Sequence, residues 1–336
     1  MKSAQKWVLL GADTLVGREI RELIEDRKLP VRLKCCGSIS DQRVLSLAAE
    51  DSFDVFEELS APTLADAAAI LLAGSAEQAQ KALDLTRSAD PQPTLIDLTG
   101  SFDNEAGVPV RAPAFDRADA SAGHTRRQIV AHPAAIALAT VFDAVHRAAP
   151  VLRSVATVFE PASARDKAGI DELHQQTSQI FSFQALPKKV YDVQVSFNML
   201  PRLGNAAPRP LAVCEDRILR HLASLLNPRG VPVPSLRLVH APVFSGYCAS
   251  VWIEFERRPP VEELRNCLVS AGVEFWSDDD GPLTNSSLAG QSGTLVSSIR
   301  DDPGDPRGAW LWVACDNIRE SALNAVALAG LSTIGA

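Results

Sequence analysis

Short apolar runs alternate with amphipathic stretches through the first third of the chain, the pattern of βαβ units feeding a parallel sheet. Residues 7–10, 33–36, 68–72 and 94–97 are predicted strands, and 15–25 and 76–87 are predicted helices between them. Proline-rich stretches at Pro91-Gln92-Pro93 and at 109–113 read as loops. After Ala131 the texture changes. Residues 152–159, 235–243 and 249–255 read as strands, with helices predicted over 167–180, 215–226 and 260–271. A last helix is predicted over 320–331. The chain therefore divides into an α/β region and a strand-rich α+β region.

Composition narrows the class. A chain of 336 residues has room for two domains with sizeable cores. A formal net charge of −8 argues against nucleic acid or an anionic membrane surface as partner. No run approaches the roughly 18 apolar residues of a membrane span. The residues ahead of Trp7 lack the apolar region of a signal peptide, so a cytoplasmic protein is expected. The six cysteines, 35, 36, 214, 248, 267 and 315, have no metal-type spacing and read as buried hydrophobes. Cys35 and Cys36 should point to opposite faces of their strand.

Gly11-Ala12-Asp13-Thr14-Leu15-Val16-Gly17 lies between a predicted strand and a predicted helix, the context of a nucleotide-binding turn. Asp13 is out of place there. A helix N-terminus attracts anions, whereas a carboxylate repels phosphate and can cap the helix itself. Either Asp13 or Thr14 can serve as that cap. Asp278-Asp279-Asp280 and Asp301-Asp302-Pro303-Gly304-Asp305 lack the spacing of a calcium loop and read as turns. Asn285-Ser286-Ser287 matches a glycosylation sequon that a cytoplasmic chain would never present to the enzyme.

Beyond that turn, the stretches Asp97-Leu98-Thr99-Gly100-Ser101-Phe102, Phe197-Asn198-Met199-Leu200-Pro201, Pro242-Val243-Phe244-Ser245-Gly246 and Asp316-Asn317-Ile318-Arg319 carry a resemblance that runs almost end to end. The chain resembles the aspartate-semialdehyde dehydrogenases. The resemblance implies an N-terminal Rossmann-type parallel-sheet domain, residues 1–131 with 317–336. It also implies an α+β catalytic and dimerisation domain over 132–316, an NAD(P) cofactor and a homodimer. In this reading Gly11, Asp13, Thr14, Leu15, Val16, Gly17 and Ser38 correspond to the cofactor site. An arginine that grips a 2′-phosphate in the family falls near Ser40, so any nucleotide binding should be weak.

The parent chemistry is not matched. Where the family reads Asn-Pro-Asn-Cys-x-Thr, this chain has His132-Pro133-Ala134-Ala135, placing Ala135 at the nucleophile. An alanine forms no thioester. Tyr247 stands at the histidine base, His240 at the arginine that clamps the substrate carboxylate, and Glu160 at the glutamine beside the nucleophile. Asp103 stands at a phosphate-binding arginine. Arg217, in Cys214-Glu215-Asp216-Arg217, is the one cation kept at its place. Cys248 should face away from Tyr247 along a strand and is no substitute.

Such replacements, with Ala162-Ser163-Ala164-Arg165-Asp166-Lys167, resemble the catalytically degenerate Usg-type members. The expectation is a protein without the parent activity, acting through a partner or mixing with an active paralogue. The alternatives are a working NAD(P)-dependent oxidoreductase acting on an aldehyde or acyl group, and a metabolite or metal sensor in the old pocket. For the metal, His132, Glu160 and His240 are the candidate zinc ligands.

Overall fold

The structure is a computed structural model that describes residues 4–37, 56–116, 125–277, 279 and 281–334. It divides into two compact units, Met1–Ala131 with Ser321–Ala336, and His132–Glu320.

The first unit is a six-stranded, wholly parallel sheet in the order β2-β1-β3-β4-β6-β5. Its strands are β1 (Gln5–Leu10), β2 (Val31–Cys36), β3 (Ala69–Leu72), β4 (Thr94–Asp97), β5 (Val110–Arg111) and β6 (Arg127–Val130). Alternate residues of each strand feed opposite faces, and both faces are covered, as a parallel sheet requires. Trp7, Leu9, Leu71 and Ile96 pack with Ile20 and Leu23 of α1 (Leu15–Asp26) and with Ala322, Ala325 and Leu328 of α8 (Asn317–Ile334). Val8, Leu10, Ile70 and Leu72 pack on the other side with Leu64 of the short α2 (Ala61–Leu64) and Ala79 and Ala82 of α3 (Ala76–Thr86). Cys35 joins the first cluster and Cys36 the second, so the adjacent thiols do face opposite ways. One expected loop proves different: Val110–Arg111 pairs with β6 as a short edge strand between its prolines, and an edge is a place where a sheet tolerates proline.

The second unit is built on a mixed sheet, β10-β11-β12-β9-β7-β8. Its strands are β7 (Val151–Glu160), β8 (Ser235–His240), β9 (Tyr247–Phe255), β10 (Glu274–Phe275), β11 (Leu295–Asp301) and β12 (Gly308–Cys315). The helices α4 (Pro133–Ala148), α6 (Leu211–Leu226) and α7 (Val261–Ser270) lie against this sheet. The hydrophobic pattern predicts no element over 133–148. Helix α4 buries eleven of its residues, from Ala134 round to Val145, so it has no polar stripe to reveal its period. Val155, Trp252 and Trp310 form one cross-strand row on the sheet, and Val155 and Trp310 are 43% and 42% exposed.

A long irregular segment follows α5 (Asp166–Phe181) and is held by two side chains of that helix. The carboxylate of Glu172 accepts the backbone N–H groups of Lys189, Val190 and Tyr191 at 2.7, 2.8 and 3.1 Å. Gln176 accepts from Val195 N–H at 2.7 Å and donates to the carbonyls of Pro187 and Val193. Among the described residues no helix is long and apolar enough to cross a membrane.

Candidate functional site

In the first unit the turn between β1 and α1 is closed on itself. Gly11 has φ +75°, and a Cβ there would stand 2.4 Å from the Cα of Gly74. At Gly17 a Cβ would meet the carbonyl of Gly11 at 2.0 Å. Only glycine fits either place. Thr14 is the helix cap: its hydroxyl accepts the Gly17 N–H at 3.0 Å and donates to the Gly11 carbonyl at 2.7 Å. Leu15 and Val16 open the helix, and Asp13 sits at the same end. Ser38 and Ser40 lie outside the described residues. After β4, the buried Asp97 organises the next loop by accepting from Thr99 and from the Phe102 N–H at 2.9 Å. Asp103 follows, its own N–H donating to Gly100.

In the second unit Ala135 is the third residue of α4 and is fully buried. His132 caps that helix, its Nδ1 accepting the Ala134 N–H at 3.3 Å. Burial, Arg217, His221 and Arg209 hold the His132 pKa well below its ordinary value, so the ring is neutral. With Nδ1 accepting, its proton is on Nε2, which faces the Tyr247 hydroxyl at 3.4 Å. Tyr247 is itself buried, and burial followed by the charge of Glu160 pushes its pKa well above 10. It is a hydrogen-bonding phenol and not a base.

Glu160 and His240 end the neighbouring parallel strands β7 and β8 in direct register, and both are fully buried. The Glu160 carboxylate accepts from the Arg165 guanidinium at 3.0 Å, while the nearest His240 ring nitrogen stands 3.9 Å from the same oxygen. Burial, then Arg165, lowers the His240 pKa to about 3. Arg165 donates to the Arg209 carbonyl at 2.7 Å, and Arg209 donates back to the Ala164 carbonyl. Tyr191 packs its ring 4.8 Å from His240 and under Arg165. Asp166, the next residue, holds φ +55° and ψ −162°, a conformation suited to glycine and costly for a residue with a Cβ.

One expectation is corrected here. Glu160 is not a free repelling charge, because Arg165 pairs with it. Arg165 and Arg209 are further cations beside it that sequence reasoning missed, although a buried carboxylate demands a partner and Arg165 is the first cation after Glu160. The zinc trio is not assembled: His132 bonds toward His221 and Tyr247, and among the described residues no three His, Cys, Asp or Glu side chains are grouped to hold a metal. Cys248 lies in an apolar cluster with Leu288, Leu295 and Ala314, its thiol pushed up to about 11 by burial.

The remaining landmarks are scaffold. Asn317 accepts from the Gly246 N–H at 2.9 Å and the Ser163 hydroxyl at 3.1 Å. The sequon residue Asn285 donates to the carbonyls of Ser245 and Gly246, fixing the turn ahead of Tyr247. Asp301 pairs with Arg258, and Asp302 accepts the Trp252 indole N–H at 2.7 Å. Asp278 and Asp280 are outside the described residues.

Residues 143–320 match the model of the semialdehyde dehydrogenase dimerisation domain, more than half of the chain. The chain belongs to the semialdehyde dehydrogenase family. It is 28% identical over 337 residues to an aspartate-semialdehyde dehydrogenase of Rickettsia bellii, covering 96% of this chain and 95% of that one. It is 26% identical to a USG-1 protein homolog of Pseudomonas aeruginosa, covering 96% of each. Among solved structures, aspartate semialdehyde dehydrogenase II of Vibrio cholerae superposes with a TM-score of 0.81 at 22% identity, covering 98% of both chains. A probable aspartate-semialdehyde dehydrogenase of Pseudomonas aeruginosa gives 0.82 at 23% identity, also with 98% of both chains covered.

Proposed function

We propose that this family member is a homodimer that has lost phosphorylating semialdehyde dehydrogenase activity. The observation that carries the reading is Ala135, buried at the helix position where the resemblance puts the nucleophile. Its neighbourhood supports the same conclusion. Cys214 and Cys248 have thiols pushed up by burial, so neither supplies a ready thiolate. Tyr247 keeps its proton, and His240 is a neutral ring where a carboxylate clamp needs a fixed cation. The reverse assay tests this directly: aspartate semialdehyde, phosphate and NADP, followed for reduced cofactor. No turnover is expected from the wild type or from Ala135→Cys, because the defects act together. Turnover by wild type free of contaminating enzyme sinks the proposal.

The turn at Gly11–Gly17 does not fit the pyrophosphate of NAD(P) well. The Thr14 hydroxyl already takes the Gly17 N–H, and Asp13 adds a negative charge at the anion end of α1. Binding is weak in this reading, and Asp13→Thr with Thr14→Gly tightens it by about tenfold, measured by calorimetry. The sheet row Val155, Trp252 and Trp310 is the proposed subunit interface. Trp252 donates its indole N–H to Asp302 at 2.7 Å, which fixes one indole of this half-exposed row in the manner of a rigid interface anchor. Sedimentation showing a dimer for wild type and monomer for Trp310→Ser is expected, and a monomeric wild type removes this part.

A further inference from the structure

Phe181, Phe183, Phe197 and Met199 of the second unit are each more than half exposed, Phe183 to 98%. Phe181 and Phe197 meet edge to face with ring centroids 5.8 Å apart, so the end of α5 and the segment after it share one apolar surface. Helix α5 closes in a turn where the Gln184 N–H donates to the Gln179 carbonyl at 2.9 Å and the Phe183 N–H to the Ile180 carbonyl at 3.3 Å. In such a turn glycine is the usual occupant of the left-handed place, and here Phe183 holds it at φ +53°. Phe197 stands at φ +63°. A Cβ in this conformation costs free energy, and a ring left in water returns none of it. The bonds from Glu172 to Lys189 and from Gln176 to Val195 fix the backbone between the two rings, so the surface is held in one shape. Charge is missing as well. Residues 175–187 and 193–201 contain no Asp, Glu, Lys, Arg or His. Aromatic side chains and methionine without charges are the composition of an interface core.

We propose that a second copy of this chain covers the surface made by Phe181, Phe183, Phe197 and Met199. Two copies with a formal net charge of −8 each repel one another, so self-contact is least opposed where no charge lies. A two-fold contact sets a patch against itself, which an uncharged apolar surface allows. Both uncharged runs lie within residues 143–320, the part that matches the dimerisation domain of the family. Register carries the surface to the side of the sheet row Val155, Trp252 and Trp310. Leu200 pairs with His240, and His240 with Glu160, so these three share one face. Met199 alternates to the other face, which is that of Val155 and Trp252. The three rings expose on the order of 400–500 Å². A standard interface takes about 800 Å² from each partner, so the rings supply about half of that share. The proposal rests on the homodimer reading and adds to the sheet row a contact of its own.

The experiment is sedimentation of the purified full chain over a concentration series. Phe183→Gly suits the left-handed turn and so keeps the fold, and it should weaken self-association at least about tenfold. Phe197→Ser should do the same. Val269→Ser, at a half-exposed apolar residue of α7, should leave association as it is. Benzoylphenylalanine in place of Phe183 should give, on irradiation, a covalent adduct of two chains. Unchanged association in both phenylalanine variants, an equal loss in Val269→Ser, or the absence of a two-chain adduct would each overturn the proposal. Trp310→Ser reads the sheet row separately. A monomer from Trp310→Ser beside an intact dimer from Phe183→Gly and Phe197→Ser strikes this surface and leaves the row, and the converse result strikes the row alone.

Discussion

Glu172 and Glu160 are both buried carboxylates of the second unit, and they are kept in opposite ways. Glu172 accepts three backbone N–H groups and is a peg on which the segment after α5 hangs. Glu160 has one arginine partner and one oxygen with none. A carboxylate saturated by main chain is architecture, because its bonds depend only on the course of the backbone. A carboxylate held by a single side chain, beside a neutral imidazole, is tuned by residues that can change while the fold stays. A fold anchored in the first way tolerates changes among groups held in the second.

The largest way to break the contrast is at the ion pair. Arg165→Met should destabilise by about 3–5 kcal/mol in urea unfolding, since it strands a buried charge. The double change Arg165→Met with Glu160→Leu should recover most of that loss, because apolar groups replace a buried pair at little cost. No recovery would mean that Glu160 is as architectural as Glu172. Next comes Glu172→Gln, which keeps one acceptor oxygen and leaves backbone donors of Lys189 to Tyr191 unmet. A loss of about 2–3 kcal/mol is expected. Proteolysis should then open the segment around residues 186–193 first, and an unaltered cleavage pattern would argue against the peg.

The third probe is pH. His240 has its folded pKa lowered to about 3, so the unfolded chain binds the proton first as pH falls below the ordinary histidine value near 6.5. Its contribution is intact above that value and is lost progressively between about pH 6.5 and 3. At pH 5 the loss should be about 2 kcal/mol relative to pH 7. His240→Leu should flatten this part of the profile, and an equally steep profile in the variant would exclude His240 as its source. The smallest effect lies in the other unit. Thr14→Ala removes the cap of α1 and should cost about 1 kcal/mol, read as a shift in the unfolding midpoint.

Much of the first unit was legible without coordinates. Its strands alternate apolar residues toward two faces, and its turn glycines are demanded by local backbone approach, so sequence-local rules suffice. The helix 133–148 was not legible, because burial all round erases the 3.6-residue period that identifies a helix. Ala135, His240 and Tyr247 were singled out by the motifs they stand in, whereas the partners around them were not legible.

The chain by itself determined the family fold and which side chains stand at positions 135 and 247, an alanine and a tyrosine, since each follows from residue type and position. Only the tertiary structure decided that Thr14 caps α1, that Arg165 and Arg209 lie beside Glu160, and that His132 faces Tyr247 while His240 packs against Tyr191. The reason is physical. Charge compensation and hydrogen bonding depend on distances of a few ångströms between segments remote in sequence, and those distances exist only once β7, β8 and the turn at Arg165 are folded side by side.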